Sequence, residues 1–416
     1  MRLFTTLFLP FLMAGISLPC LASNGFKTAV FSPKIKTLTV NVVDNWGVPP
    51  VIELEDGREI EIQFDELSSQ PTRFVYTLTH CNADWTPSQL QQSEFMSGFQ
   101  YLPIQDYDYS KNTRVDYINY KIFLPNQDLT MKVSGNYLVK VFREDDQSKV
   151  ILTACFAVKE SLVDIDMEIS SNTDIDFNKE HQQVSFSINL GNNKTIQAQD
   201  IKAFVQQNSR TDNQTNLLKV QSIIGNRLDY NHNRNLIFEA GNEYRRFEMI
   251  TTAYNGMGIE SVDYFEPYHH VSLKQDLIRS KRVYSFDKDQ NGRIFIRSAN
   301  AIDYSTESEY CFVHFSLLAE KPFAEDVYIL SEMYNYNLDE NSRIDYNIES
   351  KAYEKTELLK QGVYNYMYVC KKPKTEKAYT ALIEGNYYQT ENEYTLWVYH
   401  RPFGGRYDKL IGVKTF

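Results

Sequence analysis

Apolar and polar residues alternate along most of this chain, and that alternation limits what it can fold into. Leu38, Val40 and Val42 fall on one side of an extended backbone, as do Ile60, Ile62 and Phe64. Val184, Phe186, Ile188 and Leu190 share a side, with Ser185, Ser187 and Asn189 opposite. Near the end, Tyr394, Leu396 and Val398 alternate with Thr395, Trp397 and Tyr399. A side-chain period of two belongs to a strand with one buried face. Helical spacing is scarce. The segment Pro87–Phe95 predicts a short helix with proline in its first turn, and Lys274–Ile278 predicts a brief helical turn.

Turn residues punctuate the strands at Glu55-Asp56-Gly57, Ser134-Gly135-Asn136, Gly191-Asn192-Asn193, Gln290-Asn291-Gly292 and Gly404-Gly405. Many short strands divided in this way predict an all-β chain of tandem immunoglobulin-like or early-set β-sandwich modules. The expected modules span 32–160, 161–305 and 306–416, packed as a semi-rigid rod by short linkers. Tyr310–Leu318 reads as the first strand of the third module. Val283–Arg297 reads as a hairpin that fits either neighbour, which makes the second boundary the hardest to place.

Residues 1–22 have the pattern of a secretory leader: Arg2, an apolar stretch from Leu3 to Leu18, and small side chains at Cys20-Leu21-Ala22 before Ser23. The competing lipoprotein signal would use Cys20, but Pro19 is a poor residue before a lipidated cysteine. Beyond the leader no apolar run approaches the roughly 18 residues a membrane-spanning helix requires. A net charge of −11 argues against nucleic acid or anionic lipid as a partner. With 29 Tyr and 25 Phe against 3 Trp, the aromatic content predicts strand faces that are half wet. Cys81, Cys155, Cys311 and Cys370 permit two bridges in three pairings; Cys311 also fits as a small hydrophobe beside Val313, Phe315 and Leu317.

Few motifs point to chemistry. Asp287-Lys288-Asp289-Gln290-Asn291-Gly292 matches the first half of a calcium loop, with Asp287, Asp289 and Asn291 as candidate ligands. Ser298 stands where the bidentate glutamate belongs, and the flanks read as strands, so a self-capped turn is the better expectation. His269 and His270 are adjacent on a strand and point to opposite faces, which prevents them from sharing a metal. His80 and Cys81 face apart for the same reason, leaving Trp85 to pack under the short helix. No nucleophile elbow, phosphate-cradling loop or zinc motif occurs. The expectation is a protein-binding, non-catalytic chain with no cofactor and no small-molecule substrate. The alternative is a carbohydrate-binding protein of the cell envelope: Glu325–Leu330, Met333–Asn337 and Leu359–Tyr366 are laid out as in early-set starch-binding modules, with Trp397 as the available sugar platform.

Longer stretches carry a more specific likeness. His80-Cys81-Asn82-Ala83-Asp84-Trp85, Phe238–Glu248, Tyr284–Arg293, Gly385–Tyr394 and Gly405–Gly412 together resemble the type IX secretion system plug proteins, in the expected order across nearly the whole mature chain. Ser285-Phe286 departs from the Tyr-Asp pair expected before the turn. The resemblance implies a periplasmic protein at the inner face of the outer membrane. It would bind the periplasmic mouth of the outer-membrane type IX translocon pore and seal it when no cargo is present.

Overall fold

The computed structural model describes residues 26–191 and 195–416; the expected leader at 1–22 lies outside them. Strands dominate, as the alternation requires, and their buried faces form three separate hydrophobic cores.

The first core lies between two sheets of the N-terminal module. One sheet runs Ala29–Val30, Asp146–Lys159, Gly135–Arg143, Phe74–Cys81, Leu102–Pro103, with Val51–Glu53 parallel to Asp146–Lys159. The other runs Ile35–Val42, Ile60–Glu66, Ile118–Leu124, Asp106–Tyr109. Ile60, Ile62 and Phe64 are fully buried between them, and Phe64 stacks on Tyr120 with ring centres 5.3 Å apart.

The second module is discontinuous. Asp164–Ser170, His181–Asn189, Arg227–Asp229, Ser222–Ile224 and Ile237–Glu239 form one sheet. Its partner sheet is Ile201–Gln207, Tyr394–His400, Lys409–Thr415. Val184, Phe186 and Ile188 therefore pack on Leu396, Val398 and Ile411 from the far end of the chain. The third module is inserted between these halves. Its ten strands run from Arg245–Met249 through Gly362–Lys371, Asp326–Leu330, Arg343–Asn347, Ala352–Lys360, Tyr310–Leu318 and Tyr268–Leu273 to Ile259–Phe265, with two short strands paired off this path. They enclose a core that includes Phe247, Val313, Phe315 and Tyr364.

This pairing corrects the expected boundary at 305/306 and the third module's extension to 416. The strand Tyr394–His400 carries the same alternation whichever sheet receives it, so local pattern does not reveal its partner. The expected rod is corrected as well, because each module touches both others. Val283–Arg297 is not a hairpin: its one strand is Ile294–Ile296, and Val283 is 93% exposed. The predicted helix shrinks to Gln92–Phe95, and the predicted turn at Lys274–Ile278 instead contains the strand pair Asp276–Leu277.

Tyrosines also depart from the half-wet expectation. The largest fully buried side chains are mostly tyrosines, among them Tyr137, Tyr310, Tyr364 and Tyr399. A buried phenol needs a hydrogen-bond partner. Tyr137 donates to Val133 O at 2.6 Å and Tyr399 to Asn136 Oδ1 at 2.8 Å.

Gly135 lies where the first and second modules meet. Its φ is +143°, and a Cβ there would sit 2.3 Å from His80 Nε2 and 3.2 Å from Asp408 O. Gly135→Ala must displace a buried imidazole held by Tyr137 and Tyr407. Urea denaturation of this variant is expected to give an unfolding free energy about 1–3 kcal/mol below wild type.

Candidate functional site: the module junctions and the central cavity

Between the first and third modules lies a buried ion pair. Asp65, on the strand Ile60–Glu66, meets Lys360, at the end of Ala352–Lys360, with Oδ2 to Nζ 2.6 Å and both side chains essentially inaccessible. Tyr310 OH donates to the same oxygen at 2.7 Å, and Asn119 Nδ2 donates to Oδ1 at 2.7 Å. Lys360 also donates to Ser305 O at 2.6 Å and lies 4.1 Å from the ring centre of Tyr117. Burial pulls the ammonium below its ordinary pKa, and the Asp65 charge opposes that shift. Around this pair, Glu309 accepts from the backbone amides of Arg114 and Val115, and Tyr117 OH donates to Ser308 O at 2.9 Å. Trp46 reaches across to donate to Ile294 O at 3.1 Å.

The first and second modules meet at Asp408, whose carboxylate accepts from Ala83 N at 3.0 Å, Lys202 Nζ at 2.8 Å and Arg401 Nε at 2.8 Å. Beside it Phe204, Trp397 and Tyr399 lie nearly parallel, packed with Ala83, Ala157 and Leu410. Trp397 is only 9% exposed. It fills a joint between modules, so it is not an open platform for a sugar ring.

Near the chain crossings between the second and third modules, Glu384 ties segments of the third together. Its carboxylate accepts from Arg245 Nε at 3.0 Å, Arg279 Nε at 2.7 Å and Tyr368 N at 2.9 Å. Burial works against the charge, but the Arg245 and Arg279 guanidiniums beside it hold Glu384 down at about 2. Asn242 Nδ2 donates to Glu384 O at 2.8 Å and ties in the segment that leaves the second module.

All three modules line one cavity of about 760 Å³. Trp85 comes from the first module, Gln206 and Asp212 from the second, and Tyr336, Asn337 and Lys371 from the third. Trp85 thus faces the cavity, contrary to the expectation that it packs under the helix; its φ of +61° closes the tight Asn82–Thr86 turn and redirects the ring. Several of the charges lining the cavity have protein partners. Arg293 donates to both oxygens of Glu393 at 2.7 and 2.9 Å, Lys371 to Leu338 O at 2.6 Å, and Arg210 to Asp212 at 2.7 Å. Glu332 accepts from Ile294 N at 2.7 Å, and burial raises its pKa.

The candidate calcium residues are engaged as turn residues. Asp289 accepts from the backbone amides of Tyr244 and Asn291, the latter at 2.8 Å, while Asp287 is turned outward to Arg246 at 3.8 Å. Asn291 adopts φ +53°, and its carbonyl accepts from Tyr336 OH. Burial pushes the Asp289 carboxyl up to about 7, helped by Glu243 and Asp287. Among the described residues no group of three or more His, Cys, Asp or Glu side chains gathers as a metal site, and no helix is long and apolar enough to cross a membrane.

The thiols and His80 offer no nucleophile–base pair. The four cysteines among the described residues are free, and burial pushes Cys81, Cys311 and Cys370 up to about 12. His80 is buried with its pKa down at about 4, its Nε2 3.2 Å from Ser134 O. Its ring packs among Phe95, Tyr137 and Tyr407. The Asp65–Lys360 pair and the cavity escaped the sequence, since neither leaves a local spacing to recognise.

Residues 35–160, the first sandwich, match the family described as type 9 secretion system plug protein 1st domain. This first sandwich belongs to the type IX secretion system plug protein family. Among solved structures, this chain is similar to a crystal structure described as that of a hypothetical protein from Parabacteroides merdae. It is 48% identical, covers 94% of this chain and 99% of its own, and superposes with a TM-score of 0.92. No curated protein matches.

Two predictions follow from the charged groups. Lys360→Ala strands Asp65 in the interface and is expected to lower stability by about 3–5 kcal/mol in denaturant titration. Replacing both partners, Asp65→Leu with Lys360→Met, should recover much of that loss. The raised Asp289 pKa means the folded state takes up a proton that the unfolded state, with a carboxyl near 3.9, does not. The associated stability is complete below about pH 4 and is lost as pH rises through about 7. Wild type should therefore lose about 1–3 kcal/mol relative to Asp289→Asn between pH 5 and pH 8, as measured by paired melting curves.

Proposed function

We propose that this protein is the periplasmic gate of the type IX translocon. In this role it binds the periplasmic mouth of the outer-membrane pore and seals it when no cargo occupies the channel. The observation that carries the proposal is the match of the whole first sandwich to the first plug domain. The physical build supports it. A seal over a wide opening must keep its shape under load, and three modules that each brace the other two have no free hinge. Buried charges at the joints reinforce this, since opening a joint would leave Asp65 or Lys360 unpaired in a low-dielectric interface.

The role is non-catalytic. The central cavity has an ion-paired Arg293 and a Glu332 bonded to backbone, and the buried thiols are held in their neutral form. Reversible docking suits a polar interface of moderate area better than a wholly apolar one. The net charge of −11 favours a basic rim on the pore.

Deleting the gene should make the outer membrane leak. Uptake of large antibiotics normally excluded by that membrane is expected to rise, with a several-fold fall in the inhibitory concentration of a glycopeptide. Restoring the full-length protein should reverse the effect. An unchanged barrier in the deletion strain would overturn the gating role. Failure of the tagged protein to retain the pore during purification from solubilised outer membranes would overturn the docking.

A further inference from the structure

The third module brings together two histidines that lie 44 positions apart in the chain. His270 is on the strand Tyr268–Leu273 and His314 on Tyr310–Leu318, and these strands pair in parallel. The register sets His270 opposite Phe312 and Ser272 opposite His314. Alternation then places both histidines on the face away from the core, because Val271 and Val313 are the fully buried residues between them. His270 Nδ1 lies 2.9 Å from His314 Nε2, with the two ring planes within 14° of each other. One proton lies along this line, and both rings are partly exposed.

Four neighbours surround the pair. Thr356 Oγ1 lies 2.9 Å from His314 Nδ1, and its hydroxyl can donate or accept. Accepting from Nδ1–H leaves Nε2 with a free lone pair, which is how an outer hydrogen bond orients a metal-binding imidazole. Phe265 and Phe312 pack on His270 with ring centres 5.3 Å away. Asp263 is the cross-strand partner of His270 and brings a carboxylate to the same face.

We propose that His270 and His314 form a two-nitrogen binding site for a late first-row divalent cation, with Cu2+ preferred over Ni2+ and Zn2+. Imidazole nitrogens suit these ions, and the preference follows their general order of complex stability. A cation bound beside that line displaces the shared proton. In that step the His270 proton moves from Nδ1 to Nε2 through solvent, and two neutral imidazoles bind with no change in the protein's own charge. Metal–nitrogen bonds of about 2.0–2.1 Å that meet near a right angle hold their nitrogens about 2.9 Å apart, the present separation, once each ring turns to aim its lone pair at an ion beside the hydrogen-bond line. Two protein ligands leave the remaining positions on the ion to water or to a donor from a docked partner. The site stands apart from the module junctions and does not depend on the gating role.

Calorimetric titration of the chelator-treated, full-length mature protein with Cu2+, Ni2+ and Zn2+ tests the site, alongside the electron paramagnetic resonance spectrum of the Cu2+ form. One equivalent of Cu2+ with nitrogen coupling in the spectrum is the expected result. His270→Ala and His314→Ala should each abolish that equivalent, whereas His269→Ala and His400→Ala keep it. Thr356→Val should weaken binding about tenfold while both ligands remain. Absence of stoichiometric binding would overturn the proposal. So would an equivalent that survives in the folded His270→Ala/His314→Ala double variant, because that ion would be held elsewhere.

Discussion

A carboxylate and an ammonium sealed together between two modules set the arrangement of the whole molecule. Asp65 belongs to one sandwich and Lys360 to another, and neither can be left charged and alone in that interface. Such pairs add little net stability compared with apolar packing, but they penalise every arrangement that separates the partners. Register matters too: Tyr310, Asn119 and Ser305 must all be in place to complete the remaining hydrogen bonds. Asp408, bonded to Ala83 N of the first module and to Lys202 and Arg401 of the second, acts similarly at another joint. The three modules thus dock through a small number of charges with fixed positions, surrounded by rings.

Tyrosine is the other shared component of these joints. Its ring fills a core, and its hydroxyl can end on a carbonyl or a carboxylate, so one side chain provides both packing and direction. Tyr117 and Tyr310 work in this way beside Lys360, and Tyr399 does so beside Asn136. The high tyrosine content reflects how the modules are held to one another more than what the outer surface offers a partner. A molecule built on this plan relies on internal stiffness.

Much of the fold was readable from period and punctuation. Tyr310–Leu318 is a strand over the span its alternation indicates, and each module's core residues lie on the expected faces. What escaped was partnership. Tyr394–His400 alternates equally well for either sheet, and only long-range pairing assigns it to Ile201–Gln207. Around Val283 the alternation imitates a hairpin, although that segment is held by turns and side chains: Asp289 on Tyr244 N, and Gln290 N on Asn365. His270 and His314 show the same limit, since a parallel pairing across an intervening segment leaves no spacing to detect. The family resemblance reached past these gaps because it read whole stretches in order.

The insertion of one module into another also affects how the chain acquires its structure. Synthesis runs from the N-terminus, and the second core stays open until Leu396, Val398 and Ile411 arrive at the very end. The first module and the inserted one have complete sets of strands before then. For that interval Val184, Phe186 and Ile188 lack their covering sheet, a state prone to unwanted association. Late closure makes the last residues a checkpoint: a chain cut short before Tyr394 keeps two sound modules and one that cannot close.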